Sequence, residues 1–138
     1  MPWSTEETLN GLRKEILQLD NSIRFTGIAN NLGSLVATAY RNGLIPLMDK
    51  QETSHYAIQA VLRAATREDF ESKIGRLEYS IGKYERLIRV TIPIRLFGKE
   101  DKSNFYYLLL SFDLNSNVMD AIENKVMPFI EKNKESFV

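Results

Sequence analysis

Three arginines in the stretch RLIRVTIPIR, at positions 86, 89 and 95, are the side chains of this chain best suited to holding an anion. A guanidinium presents a planar fork of donors to carboxylate or phosphate oxygens, and it stacks on bases and aromatic rings. From Lys73 to Lys102 eight basic residues stand against four acidic ones, with Tyr84, Phe97 and Tyr107 close by in sequence. Basic charge interleaved with aromatics is the pattern that grips single-stranded nucleic acid. Strand parity divides the set, however. Arg89 and Arg95 share a face with Leu87, Thr91 and Pro93, whereas Arg86 has the parity of Ile88, Val90, Ile92 and Ile94 and should project from the strand's end. The sequence therefore marks Arg86, Arg89 and Arg95 as a candidate basic partner surface. Nucleic acid is the less favoured occupant, because charge along one strand face is ordinarily solvated.

Other chemistry fails at early steps. There is no cysteine, no Gly-x-Ser-x-Gly elbow, and His55 is the single histidine. Nucleophilic catalysis needs an oriented base and zinc needs about four convergent ligands, so His55 reads as a helix-surface or capping-region residue. Asp49 with Glu52, and Asp69 with Glu71, read as cap and surface charges; Asp113 reads as a turn or cap residue after a strand. The turn NNLGS lacks the spacing of a phosphate-cradling loop. The expectation is a protein that is not an enzyme, with no catalytic, metal or cofactor site.

Composition agrees with an ordinary globular chain. In 138 residues, 43% are hydrophobic and 26% charged, and eighteen basic residues balance eighteen acidic ones, so no global field draws in nucleic acid or an anionic membrane. The absence of cysteine excludes disulfides and suits a cytoplasmic setting. The start, MPWSTEETLN, has neither the basic nor the apolar region of a secretory signal, and no apolar run reaches the roughly 18–20 residues of a membrane span. One domain over 1–138 is expected, with 1–3 and 133–138 frayed.

The elements that position these residues follow from periodicity. Ser4 and Glu7 form a capping box ahead of a helix whose stripe is Leu9, Leu12, Ile16 and Leu19; Trp3 precedes it as a staple or a partner contact. Alternation over 22–29 and 34–40 about NNLG predicts a hairpin. After the connector RNGLIPLMDK, helical spacing runs from about Gln51 to Ile74, as one helix or as two with a restart near Thr66. Three strands follow: one carrying Leu77, Tyr79 and Ile81, the arginine strand, and the doubly apolar Phe105 to Asp113, the last two joined by the polar loop FGKEDKSN. A final helix capped by Asn115 or Ser116 bears Val118, Ile122, Val126, Phe129 and Ile130, kinked or ended at Pro128. The fold class is α+β, in the order α-β-β-α-β-β-β-α, with an antiparallel sheet.

That order, with YYLLLSFD as a central strand, resembles the profilin-like architecture of Roadblock and longin domains, over Thr5 to about Lys132. LEYSIGKYERLIRVTIPI followed by YYLLLSFD is also similar to small uncharacterised proteins of ammonia-oxidising archaea. The Roadblock resemblance implies a five-stranded sheet in order 2-1-5-4-3, with terminal helices on one face and the middle helix on the other. It also implies a non-enzymatic homodimer that pairs edge strands and middle helices and acts as a regulatory or scaffold module with a small GTPase or signalling complex. The expected dimer interface is Ala57, Ala60 and Ala64 on the helix, with Leu77, Tyr79 and Ile81 on the edge; connector 41–50 is longer than the tight turn usual in Roadblock domains. A PAS-like small-molecule sensor shares the sheet order and stands as the alternative.

Overall fold

A computed structural model describes residues 5–94 and 106–137. Trp3, the Ser4 cap, Arg95 and the loop FGKEDKSN lie outside them. Helix α1 (Thr5–Leu17) buries the Leu9, Leu12 and Ile16 stripe. Asp20 then turns the chain, its carboxylate accepting from the Ser22 amide and hydroxyl. Strands β1 (Ile23–Asn30) and β2 (Leu35–Tyr40) form the expected hairpin. Asn30 Oδ1 accepts from the amides of Leu32 and Ser34, and Gly33 takes φ +86°, a conformation costly for any residue bearing a Cβ.

Helix α2 (Lys50–Arg67) starts at a reciprocal cap: Asp49 Oδ1 accepts from the Glu52 amide, and Glu52 Oε1 accepts from the Asp49 amide. The middle segment is not one regular helix. It passes through a 3₁₀ turn (Glu68–Phe70) into a short α3 (Glu71–Ile74), just beyond the predicted break at Thr66, whose hydroxyl donates to the Leu62 carbonyl. Strands β3 (Ser80–Lys83), β4 (Ile88–Ile94) and β5 (Tyr106–Phe112) complete one antiparallel sheet in the order β2-β1-β5-β4-β3. The third strand begins three residues later than its alternation suggested.

Two cores lie on opposite sides of this sheet. On one side the parity of Ile88, Val90, Ile92, Ile94, Leu108, Leu110 and Phe112 meets α1 and the C-terminal helices. On the other, Phe25, Ala29, Tyr107 and Leu109 meet Tyr56, Ala57, Ala60, Val61 and Ala64 of α2. The C-terminal segment starts with α4 (Val118–Ala121), capped by Asn117 rather than its predicted neighbours, since the Asn117 side chain accepts from the Asp120 amide. Pro128 leaves its mark one turn earlier. Residues Ile122–Val126 widen into a π turn, in which the Met127 amide donates to the Ile122 carbonyl, and α5 (Met127–Lys132) resumes with the proline in its first turn. The tail differs from the expected frayed end: a 3₁₀ turn (Lys134–Phe137) inserts Phe137, with no exposure, into the terminal-helix core.

Candidate functional site

Two places stand out among the described residues: the β3 edge with the helix end leading into it, and the space where Arg89 passes under α2. Among the described residues β3 hydrogen-bonds only to β4, so its other edge carries unpaired backbone groups. Ile81 on this edge is 40% exposed, and Phe70 and Ile74, at the end of the middle segment, are 65% and 82% exposed. An open groove at that helix end is lined by Phe70 and Ile74 together with Arg76, Leu77 and Tyr79, the residues leading into β3.

The predicted interface residues separate. Ala57, Ala60 and Ala64 are buried against the sheet and are not open to a second copy as the expected dimer interface required; their small side chains set the close approach of α2 to β1 and β5. Leu77 packs toward the α2-side core. Tyr79 packs toward the opposite core, and its hydroxyl donates to Glu123, which holds the phenol above its ordinary pKa. Ile81 alone of the six is an exposed edge residue. The large exposed apolar residues of α2 are Ile58 and Leu62, and the Gly33 backbone of the hairpin rests on Ile58. A Cβ at Gly33 would come within 2.7 Å of the Ile58 Cα, so glycine is required there twice over, by conformation and by space.

The basic surface is also redistributed. Arg86 sits exposed in the β3–β4 turn, closed by a hydrogen bond from the Tyr84 amide to the Leu87 carbonyl. Arg89 is half-buried instead. Its guanidinium lies 3.6 Å above the Tyr56 ring and 5.8 Å from that of Tyr84, and Nη2 meets Met48 Sδ at 3.0 Å. The face Arg89 shares with Thr91 lies beneath α2, and the guanidinium meets the Tyr56 ring of that helix. Burial lifts the Tyr56 phenol above its usual pKa, against the opposing pull of the Arg89 charge.

Asp113 does more than end a strand. A register slip between Ile23 and Phe25 brings Arg24 to it at 3.1 Å, and Arg41 makes a two-pronged contact at 2.6 and 3.1 Å. The Arg41 bonds, then the Arg24 bond, hold this carboxyl below its ordinary range against the opposing effect of burial. No single-strand pattern reveals this cluster, since it joins Arg24 of β1 to residues 41 and 113, each just past the end of β2 or β5. His55 is exposed, with its ring 3.2 Å from the Gln59 amide nitrogen.

Comparison of the whole architecture with solved structures decides the fold. A structure of the gliding protein MglB from Thermus thermophilus superposes with a TM-score of 0.69 at 14% identity, covering 99% of this chain and 90% of that one. The fold is Roadblock-like. An MglB with tetrameric arrangement matches equally, at TM-score 0.69, 14% identity and the same coverage, 99% and 90%. A Roadblock/LC7 domain from Streptomyces avermitilis matches at TM-score 0.65 and 8% identity, over 91% of this chain and 94% of that one. No protein-family model and no curated protein sequence matches the chain. Among the described residues no helix is long and apolar enough to cross a membrane.

Proposed function

We propose that this chain is a non-catalytic, Roadblock-type interaction module of the cytoplasm that self-associates and presents the joined surface to a protein partner. The observation that carries this reading is the open β3 edge, bordered by exposed Ile81, Phe70 and Ile74. A strand with unpaired backbone groups beside exposed apolar side chains is a template for a second strand. A two-fold axis at that edge would extend the sheet through both copies and cover these residues isologously. The tetrameric arrangement of an MglB of similar fold supports self-association. A small GTPase is the partner class that the Roadblock resemblance implies.

The sensor reading is weaker. The space bounded by connector 44–48, the first turns of α2 and the sheet holds only about 40 Å³, whereas pockets for drug-sized ligands run to roughly 300–1,000 Å³. The nucleic-acid reading loses its footprint, because Arg89 is committed to a ring beneath the helix while Arg86 stands in an exposed turn.

Sedimentation velocity at high micromolar concentration tests the proposal. A dimer is expected for the wild type, and a monomer with an unchanged far-ultraviolet spectrum for Ile74→Glu combined with Ile81→Lys. A wild-type monomer under these conditions would overturn it.

A further inference from the structure

We propose that Arg89 anchors a carboxylate-binding site in the cavity beneath the connector 44–48. Arg89 reaches from β4 under α2 and is fixed in place by its stack on Tyr56. Among the described residues no Asp or Glu lies within ion-pair distance of it. Its Nε is buried and without a hydrogen-bond partner, and its Nη2 meets only the Met48 thioether. Nε and Nη2 form one edge of the guanidinium, the edge that receives both oxygens of a carboxylate in a two-pronged pair. A thioether is a weak acceptor, so one half of this edge is poorly matched and the other is unmatched. A buried donor left in that condition is costly, which makes an acceptor arriving from outside favourable.

The rest of the cavity suits the same occupant. It holds about 40 Å³, several times the roughly 10–15 Å³ that one water requires by the same measure. Its lining includes the hydroxyl-bearing Tyr40, Thr53 and Ser111, a second guanidinium from Arg24, and no acidic side chain. Arg24 already shares Asp113 with Arg41, so one carboxylate there serves two cations and the surroundings of the cavity remain positive. A planar two-oxygen group fits both the fork and the volume; a tetrahedral phosphate is bulkier and matches the planar edge less well. Met48 is unbranched and sits on the connector, so its side chain can leave the guanidinium edge as a carboxylate enters. The connector that exceeds the usual tight turn thereby has a use: it roofs the site.

The carboxylate can come from a free small acid or from an acidic side chain of a docked protein, and one titration distinguishes them. The Nε–Hε resonance of Arg89, identified by its loss in Arg89→Lys, is followed by NMR as sodium formate or acetate replaces sodium chloride at constant ionic strength. A saturable shift is expected in the wild type and in Arg86→Ala, whose exposed arginine serves as control. N-acetylglutamic acid amide forms the second arm. Half-saturation at a concentration roughly tenfold lower than for acetate, about 1.4 kcal/mol, assigns the site to an acidic side chain; tighter binding of formate or acetate assigns it to a free acid. A resonance that does not move, or that moves equally in chloride and acetate, overturns the proposal. The shift is read on the wild-type arginine itself, and Arg89→Lys, which keeps the charge, serves only to assign the resonance.

Discussion

The two faces of the sheet are built from the same strands yet have opposite characters. The face toward α1 and the C-terminal helices is filled by large aliphatic and aromatic groups, with Ile23, Ile28, Leu108, Leu110, Phe112, Ile122 and Phe137 carrying no exposure. The face toward α2 carries a smaller core, closed from the helix by Tyr56, Val61 and three alanines, and it gives way to Arg89, Thr53 and Ser111 around a cavity. Burying a large apolar side chain contributes about 1.5–3 kcal/mol, so the first face carries most of the stability. The second has spare room and buried polar groups, and both candidate surfaces border it. One sheet thus separates holding the fold from meeting other molecules.

Three measurements would break or sharpen this contrast. The largest effect belongs to the filled face: Phe137→Ala should cost about 3–5 kcal/mol in chemical denaturation, because the ring leaves a cavity in a core that also engages Tyr106. A cost near zero would return the tail to the frayed state its composition suggested. Next comes the smaller core, where Ala60→Leu should cost about 1–3 kcal/mol by forcing α2 away from the sheet. The same variant would be neutral if Ala60 pointed outward, so the measurement tests helix orientation directly.

The smallest effect is electrostatic and sits at the rim of the filled face. The Lys125 ammonium, then the Ser22 hydroxyl, hold the Asp20 carboxyl down at about 2 from its ordinary 3.8. A folded-state pKa below the unfolded value means stability that is present above pH 3.8 and is lost as pH falls toward 2. Asp20→Asn should therefore be modestly less stable than wild type at neutral pH, with the difference shrinking as pH falls from 3.8 through about 2. Equilibrium denaturation at several pH values across that interval checks this; a difference that persists at the acid end would show that the carboxylate charge is not its source.

Most of the fold was legible because its signals are local. The hairpin, the isoleucine face of β4 and the doubly apolar β5 announce themselves by period and turn residues, and those same features required a central position for residues 106–112. The site was less legible, for a physical reason. Alanines at helical spacing read alike whether they face a sheet or a second helix, so periodicity could not choose between a dimer interface and the sheet for Ala57, Ala60 and Ala64. The strand carrying Ile81 was started too early because Leu77 and Tyr79 alternate as strand residues do, yet they dock on opposite cores ahead of the ladder. Phe137 gave no signal at all, since one aromatic in a charged tail has no periodicity to read. The partners of Arg89 and Asp113 come from distant segments, and only the closed sheet brings them together.

The position of β5 has a consequence for how the chain reaches this state. It is the last strand in sequence and the middle strand in space, bonded to β1 on one side and β4 on the other. Until residues 106–112 are synthesised, the two hairpins on either side of it have no sheet connecting them. Each would present a bare inner edge as well as an outer one, a condition that favours mispairing. Closure then depends on contacts between residues far apart in sequence, which are slow to form. A late central strand makes the growing chain most exposed to aggregation just before it becomes most stable.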